Sequence, residues 1–181
     1  MPSPIAHLTA GYAVYVLARS YAPKLELSRV GPLPGLLLLT GGFSLLPDLD
    51  TVAGILMGDF GRFHNNATHS LVVGLALACA FGVLMHWRQG SGFGRWFGIA
   101  LLCYELHVLM DWTTIGRGVM AWWPLTGSRF QAPVFLFYGL HWSQGWWSPR
   151  HLWTLATELA FAVGTLLALR RFIRGSHRAT G

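Results

Sequence analysis

The chain is short of charge. Of its 181 residues, 11% are Asp, Glu, Lys or Arg, against roughly 25% in an average soluble protein. Hydrophobic residues reach 53% and the mean hydropathy is +0.45, which excludes an ordinary water-soluble globule. Cysteine is scarce as well. Cys79 and Cys103 both lie inside apolar runs, as packing residues rather than a disulfide or a thiolate metal pair. The N-terminus, MPSPIAH, lacks the basic region and small-residue cleavage site of a signal peptide, so the first helix is expected to stay in the mature protein. There is no internal repeat and no low-complexity linker. The formal charge of +6 is scattered except where Arg170, Arg171, Arg174 and Arg178 follow an apolar run. That is the placement of a cytoplasmic membrane boundary, and nucleic acid is not an expected partner.

What is present is a series of apolar stretches, expected as membrane spans at about 5–21, 30–46, 70–87, 96–112 and 152–169. Several are nearer 17 residues than the ~20 of a perpendicular span, a shortfall that local thinning absorbs. The expected architecture is all-α, a polytopic transmembrane helical bundle forming one domain over 1–181. Pro47 is expected to end the second span, leaving Asp48 and Asp50 in extended chain at the membrane edge. Thr68 or Asn66 is expected to cap the third. Between spans four and five, 119–150 is aromatic and broken by Pro124, Pro133 and Gly139. It reads as an interfacial or re-entrant segment whose tryptophans, Trp122, Trp123, Trp142, Trp146 and Trp147, sit at headgroup level.

Nine Lys and Arg flank the ends of spans one, three and five, and four (Arg62, Arg117, Arg129 and Arg150) lie on the other side. The positive-inside rule then puts the N-terminus outside and the C-terminus in the cytoplasm of a bacterial or archaeal membrane.

That topology carries seven polar side chains to one face: His7, Asp48, Asp50, His64, His69, His107 and Asp111. Each is costly beside lipid unless it has a partner. His107 and Asp111 are four apart and share a helix face. Imidazoles and carboxylates without thiolate suit a divalent metal, zinc before manganese or iron, as one ion or two. Asp48 or Asp50 either bridges ions or orients a ligand imidazole. Asp48, Asp50 and His107 are the candidates for catalytic work, and Arg117, Arg129 and His141 for substrate contact. Plainer readings stand beside these: a turn at Asp48, an interfacial His7, a hydrogen-bonded His107–Asp111 pair. Glu105 and Glu158 read as helix–helix contacts.

The order His7-x-x-x-Gly11, Leu46-Pro47-Asp48-Leu49-Asp50, His64-x-x-x-Thr68-His69-Ser70-Leu71 and His107-x-x-x-Asp111, followed by Trp123-Pro124-Leu125 and Ser128-Arg129-Phe130, resembles the YdjM-like family of inner-membrane metal-dependent hydrolases. The resemblance covers roughly residues 5–130. It implies a divalent metal held by the His and Asp set, hydrolase activity, and a distant similarity to zinc phospholipase C enzymes. The chain departs from the family at Asn65-Asn66, where an Arg usually follows the His, and Arg62 is a candidate replacement.

The expected function is therefore a membrane-embedded hydrolase using a metal-activated water on a phosphoester of a membrane lipid or lipid-linked substrate. The alternative is a non-enzymatic metal-binding membrane protein: a carrier, a sensor or a structural partner.

Overall fold

The computed structural model describes residues 2–21, 33–59, 62–140 and 147–179. The described residues form six α-helices and no named strand: α1 (Pro4–Ser20), α2 (Leu33–Leu45), α3 (Leu49–Leu56), α4 (Leu71–Gln89), α5 (Phe93–Trp112) and α6 (His151–Ala179). The all-helical class is as expected. Three stretches are long and apolar enough to cross a membrane: Gly35–Leu56, Leu71–Gln89 and His151–Gly175. This is fewer than the five expected. Helix α1 has only 17 residues, and α5 carries Arg95, Glu105 and Asp111.

Helix α5 is the axis of the bundle. Trp96, Ile99, Ala100, Cys103, Tyr104, His107, Val108, Met110 and Asp111 along it are all buried. His107 and Asp111 thus meet protein instead of hydrocarbon, the arrangement that makes ionisable groups tolerable at membrane depth. Helix α4 lies against it through Gly74, Ala78 and Gly82, the buried residues of α4. Small residues every fourth position let two backbones approach closely. At Gly74 a Cβ would stand 2.5 Å from Tyr104 Cδ1, and the Glu105 carboxylate also packs there. Glu105 is thus the helix–helix contact expected of it.

Helix α1 begins with Ser3 as N-cap, its hydroxyl accepting from the Ile5 N–H, and with Pro4 in the first turn. The Ser3 N–H and hydroxyl both donate to Glu158 of α6. This ties the start of α1 to the last helix, and Glu158, 1% exposed, makes the contact its sequence position implied. Away from the site, Val14, Tyr15, Leu36, Trp96, Ile99 and Leu169 form one apolar core between α1, α2, α5 and α6.

Two local expectations are overturned. Pro47 does not end the helical path. It falls in the first turn of a 3-10 segment, Leu46–Asp48, which runs directly into α3, and a first-turn proline forfeits no helical hydrogen bond. Asp48 (φ −72°, ψ −3°) and Asp50 are therefore on helical chain, not extended chain. The cap of α4 is Ser70, whose hydroxyl accepts from the Val72 and Val73 N–H groups. Thr68 is committed to Asp50 instead.

Residues 113–140 form no helix, so the expectation that this aromatic stretch is not a further span holds. It folds over the C-terminal end of α5, with Val119 and Phe130 exchanging two backbone hydrogen bonds of 2.9 Å. Trp122 and Trp123 are exposed there, as is Trp147 beyond. Trp142, Trp146 and His141 lie outside the described residues, as do Lys24, Arg29 and the start of the expected 30–46 span.

Candidate metal centre

All seven predicted donors meet at one end of the bundle. They come from four pieces of chain: His7 from α1, Asp48 and Asp50 from the α2–α3 junction, His64 and His69 from the loop before α4, and His107 and Asp111 from α5. His7, Asp50, His64, His69, His107 and Asp111 are buried, and Asp48 is partly so. One donor atom each from Asp48, His69, His107 and Asp111 lies within 4.8 Å of the other three.

The tautomers follow from the partners. His107 Nδ1 is 2.7 Å from the Ser44 carbonyl oxygen, which only accepts, so Nδ1 carries the proton and Nε2 is the lone-pair end. Asp50 faces the Nδ1 atoms of two rings: Oδ1 is 3.1 Å from His64 Nδ1 and Oδ2 is 3.2 Å from His69 Nδ1. An ionised carboxylate accepts from both, turning His64 Nε2 and His69 Nε2 inward. Asp50 is held in turn by the Thr68 hydroxyl, which donates to Oδ2 at 2.6 Å, and by the Thr51 hydroxyl at 3.3 Å from Oδ1. Tyr104 donates to the Thr68 carbonyl. Asp48 and Asp50, two residues apart on a helical path, thus flank the imidazoles from different sides.

This leaves His69 Nε2 and His107 Nε2 facing each other at 3.1 Å. Asp111 Oδ2 is 3.1 Å and Asp48 Oδ1 3.7 Å from His69 Nε2, and Asp48 Oδ1 is 3.6 Å from His107 Nε2. Two lone pairs at that separation repel unless a proton or a cation lies between them. Burial alone would lower the His69 imidazole, but its contacts with Asp111, Asp48 and Asp50 carry it well above its ordinary value. Several buried atoms here have no hydrogen-bond partner: both nitrogens of His7, both oxygens of Asp48 and Asp111, and His64 Nε2. Buried polar atoms are normally paired. Donors that converge on a point instead of aligning with each other fit a divalent cation, and this cluster has the residues to hold one.

Asp50, His64 and His69 are also close enough to form a group of ion ligands. Because both rings present Nδ1 to Asp50, the trio reads as the frame that orients the first group. His7 stacks on His107, with ring centroids 3.7 Å apart and planes inclined by 16°, and its Nε2 is 3.5 Å from Asp111 Oδ1. Gly11, one turn on, explains the His7-x-x-x-Gly11 spacing. A Cβ there would lie 2.5 Å from Ser44 Oγ and 2.9 Å from the Thr40 carbonyl oxygen. Glycine thereby lets α2 come close enough for Ser44 to hold His107.

The arginines expected to meet substrate are engaged with the site's own loop. Arg117 donates to the His64 carbonyl. Arg129 Nη1 donates to the Asn65 and Gly118 carbonyls at 3.0 and 3.1 Å, and its Nη2 to Asn66 Oδ1. Arg62 stacks on Phe63, 5.5 Å from the ring centroid, so Arg129 is the guanidinium that reaches Asn65-Asn66. The supporting roles of Ser44, Thr51, Thr68 and Tyr104 were missed from sequence. Thr68 had a signal in the Thr-His-Ser block, whereas a carbonyl contact such as that of Ser44 has none.

An all-helical membrane protein with a buried His/Asp cluster able to hold a metal ion is the class these features define. The model of the YdjM inner membrane protein family matches residues 1–176, and the chain belongs to that family. No curated protein and no solved structure matches it.

Proposed function

We propose that this protein is a membrane-embedded metal-dependent hydrolase that cleaves a phosphoester of a lipid or lipid-linked substrate. The observation that carries the proposal is the donor set itself: Asp48 and Asp111 converge with His69 and His107, and both oxygens of each carboxylate are buried without a hydrogen-bond partner. Imidazoles and carboxylates without thiolate are the donors of catalytic zinc sites rather than of the cysteine-rich structural ones. The donor chemistry favours zinc, with manganese or iron as substitutes.

His69, His107, Asp48 and Asp111 would hold the ion, with His64 and His7 beside them and Asp50 fixing the rings. A bound divalent ion supplies an acidified water and charge support for a phosphoryl oxygen. Asp48, with both oxygens unpartnered, would accept the proton of an attacking water. The distribution of Lys and Arg supports an outward-facing site, with the C-terminus in the cytoplasm.

The test is elemental analysis of the purified protein joined to phosphate release from phospholipid vesicles. Stoichiometric metal and turnover, both lost in His107→Ala, are expected. Intact protein without a transition metal overturns the reading. Metal without turnover on any phosphoester favours the carrier or sensor alternative.

A further inference from the structure

A cavity of about 310 Å³ lies beside the donor cluster, between α4, α5 and the 113–140 segment. Its wall includes Leu71, Val108, Trp112, Val119, Ala121 and Phe130, with the side-chain amide of Gln131 among the described lining residues. Three of these residues follow metal donors closely in sequence: Leu71 comes two after His69, Val108 one after His107, and Trp112 one after Asp111. One residue along a helix turns by about 100°. The face of α5 that carries Val108 and Trp112 is therefore about 100° round from the one that presents His107 and Asp111 to the centre, and it forms part of the cavity wall. The Ala121 carbonyl accepts from the Leu71 N–H at 2.9 Å and the Ser70 hydroxyl at 3.2 Å, fastening the cavity wall to the turn that carries His69.

We infer that this cavity holds one hydrocarbon chain of a membrane phospholipid whose phosphate lies at the metal centre. The inference rests on the lipid-phosphoester reading and adds where the substrate's tail goes. Two observations select a lipid chain over other occupants. The cavity opens past Leu109, Trp122 and Phe130, which are 47%, 47% and 38% exposed and which membrane embedding turns toward lipid. Its volume lies in the range of small-molecule sites. Cationic Arg129 immediately precedes Phe130 of the wall, and Arg117 is near enough to depress the Arg129 guanidinium further than its partial burial alone does. Both arginines are held on the site's loop by its carbonyls, and a cationic segment next to an apolar slot complements an anionic headgroup on an apolar tail.

The experiment places the full-length protein in nanodiscs of phosphatidylethanolamine and phosphatidylglycerol, with a trace of phosphatidylethanolamine carrying a diazirine within one acyl chain. After photolysis, labelled residues are mapped by mass spectrometry. Labelling of 108–112 and 119–122 several-fold above the exposed α4 residues Leu75 and Leu84 is expected. Equal labelling around the bundle overturns the proposal. In Ala121→Trp, an indole occupies the slot, and labelling there should fall to the α4 level with metal content unchanged. Leu109→Trp, at a half-exposed position, makes the same test should Ala121→Trp not fold. Undiminished labelling in a folded variant overturns the proposal. Because labelling needs no turnover, a labelled slot without hydrolysis counts against the hydrolase reading alone. Hydrolysis without a labelled slot counts against the chain site alone.

Discussion

His107 Nδ1 lies 2.7 Å from the carbonyl oxygen of Ser44. That bond joins the central helix α5 to α2, sets the tautomer of a candidate metal donor, and depends on how closely α1 lets α2 approach. Gly11 sets that approach. Gly11→Ala, although it removes no donor, is expected to weaken metal binding by roughly 10–100-fold, as losses of orienting partners do. Competition with a chelator of known affinity measures this, and Gly42→Ala, where an added Cβ meets nothing within 4 Å, is the control.

Asp50 and Asp48 separate by the same measurement. Asp50→Asn leaves one acceptor where two imidazole N–H groups need one each, so affinity should fall by roughly 10–100-fold with stoichiometry kept. Asp48→Ala and Asp111→Ala remove donors, and bound metal per chain should drop below one. Equal loss in all three variants would make Asp50 a ligand after all.

The pH dependence follows from His69. Its pKa is raised in the folded, metal-free protein. The stabilisation from its protonated form is complete below the unfolded value of about 6.5 and is lost as pH rises through the folded value. The Tm of chelator-treated protein should therefore decline as pH climbs above about 6.5. A bound ion replaces that proton, so metal affinity should rise over the same interval. Thermal scans in detergent with and without the ion read both slopes.

Asn65 occupies left-handed backbone at φ +60°, and its carbonyl accepts from Arg129 and from the Met120 N–H. Asn65→Val is expected to destabilise the loop by about 1–2 kcal/mol, while Asn65→Gly, free of the Cβ penalty, keeps His64 in place. Denaturant titration in micelles and metal stoichiometry distinguish the two variants.

The donors were legible in the sequence because each is an expensive residue beside an apolar run, and because alternating span directions sort such residues by face. His7, His107 and Asp111, distant in the chain, could be assigned to the same end on that ground alone. The path through Pro47 was not legible. A proline after a long apolar run reads as a stop, yet a first-turn proline is compatible with a continuing helix, and only packing against His64 and His69 decides between them. Nor was the service of Arg117 and Arg129 to the loop legible, since backbone carbonyls carry no residue signature. The 113–140 segment could be excluded as a span from its prolines and glycines, but its position over the end of α5 needed the fold.

Four separate pieces of chain supply the donors, and two of these donors, His107 and Asp111, are on the fifth of the six described helices. A nascent chain that has inserted only through α4 possesses His7, Asp48, Asp50, His64 and His69 but no opposing wall to hold them around an ion. An ion held by this cluster would be acquired only once α5 has threaded into the middle of the helices already in place. Such an ion would serve as a receipt for completed insertion, and a chain arrested before His107 would leave its translocation site without one.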